Sequence, residues 1–301
     1  MKKYFTLTLI LLITVIFSGF SQIKEKEYNS KKLITVISLE TVGYTVSMIG
    51  LYKLWFSDYP MSTFHIFNDN DGWESIDKCG HTLTSYYVGK IGMEALNWAG
   101  VKRNKAIWYG GTLGLAFMTS VEIFDGYSDG WGASPGDIIA NFTGAGLLIG
   151  QELLWNEQRL KLKFSDHYSE FQKYNPDVLG HSFAERMLKD YNGHTNWYSL
   201  NVKSFLQEES KFPKWLNFAF GYGADGLLAG YGNPTEVDGK PVPHFEVYKQ
   251  FYFAPDIDLS KIETNSKILK ILFSAFGFIK FPAPTLEYNK FDNLKFHWLY
   301  F

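Results

Sequence analysis

With 301 residues, 46% of them hydrophobic, the chain can bury a substantial core, which excludes disorder as its main state. Its 29 basic and 31 acidic residues give a net charge of -2 with no long basic run, which excludes nucleic acid as the main partner. Aromatic residues make up 18% of the chain, a share that suits envelope interfaces, where a ring buries its body and wets its edge.

The N-terminal stretch MKKYFTLTLILLITVIFSGFSQ reads as a secretory signal peptide over residues 1–21, with cleavage after Ser21. The chain is therefore expected to be exported, to the periplasm or outer membrane rather than the inner membrane. The one cysteine is Cys79, so no disulfide can close within the chain and no lipid-acceptor cysteine follows the leader. Residues 22–160 are expected to form a helical bundle. Four stretches approach the roughly 20 residues that span a bilayer: Leu33–Phe56, Ile76–Ala99, Lys105–Phe124 and Pro135–Trp155. Glu40, Lys90, Glu94, Glu122, Asp137 and Glu152 interrupt them, and charges at bilayer depth face a protein interior or a wet cavity. The bundle is thus expected in a membrane or against one, although a soluble bundle has the same periodicity. The motif SPGD predicts the start of the fourth helix, with Ser134 as N-cap, Pro135 at the first helical position and Asp137 facing the positive end of the helix dipole.

Residues 161–211 are polar with helical periodicity and predict an amphipathic helical connector. From residue 212 to residue 301, alternation of aromatic and polar residues predicts a small antiparallel sheet packed on the bundle. Its strands are expected at 215–232, 244–259 and 285–301, with Phe251, Phe253, Phe296 and Trp298 on one face. The stretch NSKILKILFSAFGFI reads as a short apolar helix between the last two. The expected class is α+β: a mainly helical bundle, an amphipathic helix, then a β-rich C-terminal region.

The chemistry-bearing residues fall at helical spacings. Asp77 and His81 stand at i and i+4 on the second helix, Glu122 and Asp125 at i and i+3 at the end of the third, Asp137 and Asn141 at i and i+4 on the fourth. If these helices are neighbours, the six side chains converge near one end of the bundle. Gly144, Ala145, Gly146 and Gly150 would let a neighbouring backbone approach. Carboxylates gathered in an apolar bundle require pairing or a cation, so a divalent metal on His81, Asp77 and Asp125 is a candidate beside a hydrogen-bonded structural network. Two calcium-like loops, NDNDGWESIDK and DGYSDGWGASPG, lack the ligands of an EF-hand.

DKCGHTLTSYYVG from Asp77 and VEIFDGYSDGWGASPGDIIANFTGAGLLIG from Val121 resemble the pattern of VanZ-like proteins and of YfiM-type predicted periplasmic lipoproteins. The resemblance covers about Asp77 to Gly150 and adds Lys78 and Ser134 to the candidate ligand-binding set of Asp77, His81, Glu122, Asp125, Asp137 and Asn141. The missing lipid-acceptor cysteine departs from the YfiM type. Three functions are compatible with this: binding or positioning a lipid-linked or cell-wall component through the polar corner, metal-assisted hydrolysis or transfer on an envelope lipid or glycan, or a purely structural membrane role.

Overall fold

The computed structural model describes residues 28–57 and 59–301; the expected signal peptide lies outside the described residues. The class is α+β, and the described chain divides into two compact units. The first comprises the described residues up to Asn70 together with His81–Glu157, and the second Asp71–Gly80 with Gln158–Phe301.

The first unit is helical. Helix α1 (Ser30–Leu51) opens on Asn29, whose side chain accepts from the Lys32 amide at 3.1 Å, and runs on through a π-helical turn, Tyr52–Phe56. Helix α2 (Ile76–Trp98) begins in the second unit and continues into the first. The expected helix Lys105–Phe124 is two helices, α3 (Arg103–Gly111) and α4 (Leu113–Gly126). The break falls at Thr112 after two glycines, where the Thr112 hydroxyl donates to the Trp108 carbonyl at 2.6 Å and competes with the helical ladder. Helix α5 (Pro135–Trp155) has the expected bounds and its Ser134 cap.

Packing within this unit is close and its interior is partly polar. A Cβ on Gly144 would lie 2.2 Å from the Thr82 carbonyl oxygen, so α2 and α5 meet backbone to backbone there. Gly146 and Gly150 face open space and do not share that role, because they lie on other faces of the helix. Ser85 donates to the Asn141 carbonyl at 2.7 Å, and Tyr44 of α1 donates to Ser120 of α4 at 2.9 Å. Outward, α1 exposes Ile34, Leu39, Val42 and Val46 while Leu33, Val36 and Met48 pack inward, so the helix is apolar on both sides.

The second unit is built on a six-stranded antiparallel sheet. Its strands are β1 (Leu160–Asp166), β2 (His194–Leu200), β3 (Leu216–Asp225), β6 (Tyr248–Ile257), β7 (Ala283–Asn289) and β8 (Asn293–Tyr300), in the order β1-β2-β3-β6-β7-β8. A separate hairpin joins β4 (Glu236–Val237) to β5 (Lys240–Pro241). The sequence expectation fails at two places here. The stretch 161–211 is not one amphipathic helix: it supplies most of β1 and all of β2, with the short helices α6 (Pro176–Leu179) and α7 (Phe183–Lys189) and two 3-10 turns between them. Burial in a sheet, not helical amphipathicity, orders its Lys161-Leu162-Lys163 alternation. The last expected strand is a hairpin of β7 and β8, turned at Asn289, whose side chain accepts from the Phe291 and Asp292 amides at 2.8 and 2.9 Å.

On the sheet's inner face, Trp197, Ala219, Tyr252 and Ala254 form a small apolar core joined by Tyr300. The Tyr300 ring lies 6.1 Å from Trp197 and 4.6 Å from Tyr252, and its hydroxyl is 3.0 Å from that of Thr195. In a flat sheet β8 and β2 would be about 19 Å apart, so these contacts require strong curling. Helix α8 (Lys267–Ala275) corresponds to the expected apolar helix and has no buried residue. Just before α2, Trp73, Glu74 and Ser75 have φ of 51°, 51° and 60°, a left-handed turn held by the Trp73 amide on the Gly230 carbonyl and the Tyr222 hydroxyl on that of Glu74.

Candidate functional site

The helical unit places four of the expected residues together. His81 stands in the second turn of α2, Glu122 in the last turn of α4, Asp137 and Asn141 in the first two turns of α5. His81 Nδ1 lies 3.3 Å from Glu122 Oε1 and 3.2 Å from Asn141 Oδ1, and its Nε2 lies 4.0 Å from Asp137 Oδ1. Glu122, Asp137 and Asn141 are buried; the imidazole is half-buried.

Ser134 ties the helix ends together. Its amide donates to Glu122 Oε2 at 3.1 Å, its hydroxyl accepts from the Asp137 amide at 3.2 Å, and the same hydroxyl donates to Asp69. Cap and cluster are therefore one structure. The residue that sequence reasoning missed is Asp69. It arrives because the loop 59–69 runs along the loop 126–133: the Ser62 and His65 amides donate to the Tyr127 and Gly126 carbonyls at 2.8 and 2.9 Å, and the Phe67 amide to that of Ala133 at 3.0 Å. The glycines of DGYSDGWG serve this apposition. A Cβ on Gly126 would fall 2.3 Å from the Phe64 ring. Only the density of polar residues in NDND signalled Asp69, and that signal suggested a calcium loop.

Asp125, Asp77 and Lys78 complete the expected set. Asp125, three residues beyond Glu122, is half-buried at the end of α4 and does not belong to the group of His81, Glu122 and Asp137. Asp77 lies one turn before His81, in the part of α2 that belongs to the second unit, and accepts from Lys78 Nζ at 2.8 Å.

His81, Glu122 and Asp137 can each offer one donor atom, all within 4.8 Å of one another. A cation bound tetrahedrally at about 2.0–2.2 Å holds its ligand atoms about 3.3–3.6 Å apart, so closure needs shifts of up to about 1 Å. An imidazole with carboxylates and an amide oxygen suits Zn²⁺ or Mn²⁺. Asn141, 1% exposed, keeps its Nδ2 without a hydrogen-bond partner among the described residues while its Oδ1 faces His81. The set can hold such an ion, orient an anionic group on it, or bind a proton between His81 and a carboxylate.

A family model described as "predicted periplasmic lipoprotein (DUF2279)" matches residues 66–150. The match covers less than a third of the chain, yet it contains Asp69, Asp77, Lys78, His81, Glu122, Asp125, Ser134, Asp137 and Asn141. It runs from the last part of the loop that carries Asp69 to near the end of α5, and so takes in the helices that supply the cluster. The chain is exported, to the periplasm or the outer membrane. No curated protein and no solved structure is detectably similar to it.

The second unit carries a separate ionic assembly that the sequence did not reveal. Lys163 Nζ lies 2.7 Å and Lys280 Nζ 3.9 Å from Asp256, which also accepts from Ser199 at 2.6 Å; Lys161 pairs with Asp258 at 2.7 Å. Burial pushes Lys280 down to about 8 against the pull of Asp256. For Asp258, burial pushes up and the Lys161 ammonium pulls down, leaving the carboxyl below its ordinary value. These pairs lie in the curled interior and brace the strands.

Proposed function

We propose that the chain is a cell-envelope protein whose helical unit, a membrane-seated bundle, binds a divalent cation at His81, Glu122, Asp137 and Asn141. Through that ion it positions an anionic lipid-linked or cell-wall component. The observation that carries this reading is the convergence of one imidazole and two buried carboxylates within 4.8 Å from three helices. Placing two carboxylates in a helical interior costs several kcal/mol of solvation, and a bound cation offsets that cost. Ligands taken from helices are held more rigidly than ligands on loops.

The surface of the unit supports its seat in a membrane. Among the described residues, Ser30–Phe56 and Pro135–Trp155 are helices long and apolar enough to cross one. Helix α5 turns Asp137, Asn141, Gly144 and Gln151 inward beside Leu148 and Ile149, and exposes the large apolar Ile139, Phe142 and Leu154. The likeness of residues 77–150 to VanZ-like and YfiM-type sequences points the same way.

The test is a calorimetric titration of metal-stripped protein in mild detergent with Zn²⁺ and with Mn²⁺. One equivalent should bind to the wild type, and His81→Ala should weaken binding at least about tenfold, the loss of about 1.4 kcal/mol. Failure of both ions to bind, or equal binding by His81→Ala, refutes the reading. A lower melting temperature of metal-free His81→Ala without any metal binding identifies a structural network instead.

A further inference from the structure

The sheet of the second unit has its polarity reversed relative to a water-soluble sheet. Its inner face carries Lys163, Ser199, Asn217, Asp256, Glu287 and His297, joined by short bonds such as His297 Nε2 to Glu287 Oε2 at 2.6 Å and Asn217 Nδ2 to Ser199 Oγ at 2.9 Å. Its outer face is aromatic. Strand register sets Tyr198 opposite Phe220, Phe220 opposite Phe253, Phe253 opposite Leu286 and Leu286 opposite Phe296, one apolar row across five strands. All five are exposed, as is Trp298 farther along β8, at 83%. Because the sheet curls, this row follows its convex side. The inner face is already filled, so the sheet cannot turn its aromatic side inward.

From this reversal we infer that the outer face of the β2–β8 sheet, together with α8, docks on a lipid bilayer. Three observations select lipid. Apolar side chains outside and polar ones inside is the pattern of sheets that face hydrocarbon. Helix α8 exposes Ile268, Leu269, Ile271 and Leu272 and carries Lys267 and Lys270, all exposed, which is the composition of an interfacial helix drawn to anionic headgroups. Phenylalanine, tyrosine and tryptophan dominate the face, as they do at membrane–water boundaries. The sheet lies at the interface and does not span. Among the described residues strand β8 ends the sheet order with an unpaired edge, and open edges are excluded from hydrocarbon, whereas water at headgroup depth satisfies them. This docking is independent of the cation reading, since it uses no residue of the helical unit.

Site-directed spin labelling of the whole chain tests it. In a Cys79→Ser background, nitroxide is attached to Phe296→Cys, Trp298→Cys and Ile271→Cys, with Glu208→Cys on an exposed turn as the reference. The protein is reconstituted into vesicles of phosphatidylethanolamine with phosphatidylglycerol. The oxygen-to-nickel-chelate accessibility ratio should be several-fold higher at the first three positions than at the Glu208 position. Equal ratios at all four overturn the proposal. So does spin–spin broadening at Phe296 and Trp298 without oxygen preference, which would show a second copy of the chain covering the face. Ile271 stands on a helix with no buried residue, so its label reports even if one of the sheet variants does not fold.

Discussion

Lowering the pH should weaken the second unit through His194, the first residue of β2. Its imidazole is buried between Phe164 and Tyr191, with ring centroids 5.0 and 5.3 Å away, and its Nε2 lies 3.8 Å from Asp166, a carboxylate already engaged by Arg186 at 2.9 Å. Burial, reinforced by the charges of Arg186 and His167 and partly opposed by a backbone hydrogen bond to Met187, pushes His194 down from 6.5 to about 4. A histidine depressed in the fold binds its proton more readily when unfolded. Its contribution is therefore fully present above pH 6.5, is lost as pH falls from there toward about 4, and changes no further below. At about 1.36 kcal/mol per pK unit, going from about pH 7.5 to about pH 4.5 costs roughly 2.5 kcal/mol. Asp190, raised by burial, works in the opposite direction, so the comparison is between wild type and His194→Gln. Denaturant unfolding of both at the two pH values, in the same detergent, should show the wild type losing about 2.5 kcal/mol more than the variant. Equal losses would show that His194 carries its proton in the fold and that its burial is wrongly weighed.

Two further substitutions test the packing. Asp256→Ala leaves Lys163 in the interior without its carboxylate and should cost about 3–5 kcal/mol in denaturant unfolding, whereas a loss under about 1 kcal/mol would mean that water reaches the ammonium. Gly114→Ala places a Cβ 1.9 Å from the Ser85 carbonyl oxygen and should force α4 away from α2 at a cost of about 1–3 kcal/mol, read as a lowered melting temperature; an unchanged melt would mean that these helices are not in backbone contact.

What was legible in the sequence is what depends on local order. Ser134, Pro135 and Asp137 announce the start of α5 because capping is decided within one helical turn. The i, i+4 pairs on α2 and α5 showed which way His81 and Asn141 point. The break at Thr112 was hidden because α3 and α4 continue one apolar pattern across it. Strand β1 was hidden because Lys161 and Lys163 look like solvent-facing residues until Asp258 and Asp256, far along the chain, are brought beside them. Asp69 was missed for the same reason, since its place depends on two loops pairing, while Asp125 was favoured over Glu122 because spacing alone does not say which of two carboxylates on one turn faces inward. Phe251, Phe253, Phe296 and Trp298 do share a face, as alternation required, but that face is the outer one.

The proposed site places one divalent cation on His81, Glu122, Asp137 and Asn141. Zinc-edge X-ray absorption on the protein loaded with one equivalent of Zn²⁺ addresses it most directly. The expected spectrum shows nitrogen and oxygen ligands at about 2.0–2.2 Å with the outer-shell signature of a single imidazole, lost in His81→Ala. A sulfur scatterer at about 2.3 Å, two or more imidazoles, or an unchanged spectrum in His81→Ala would contradict it.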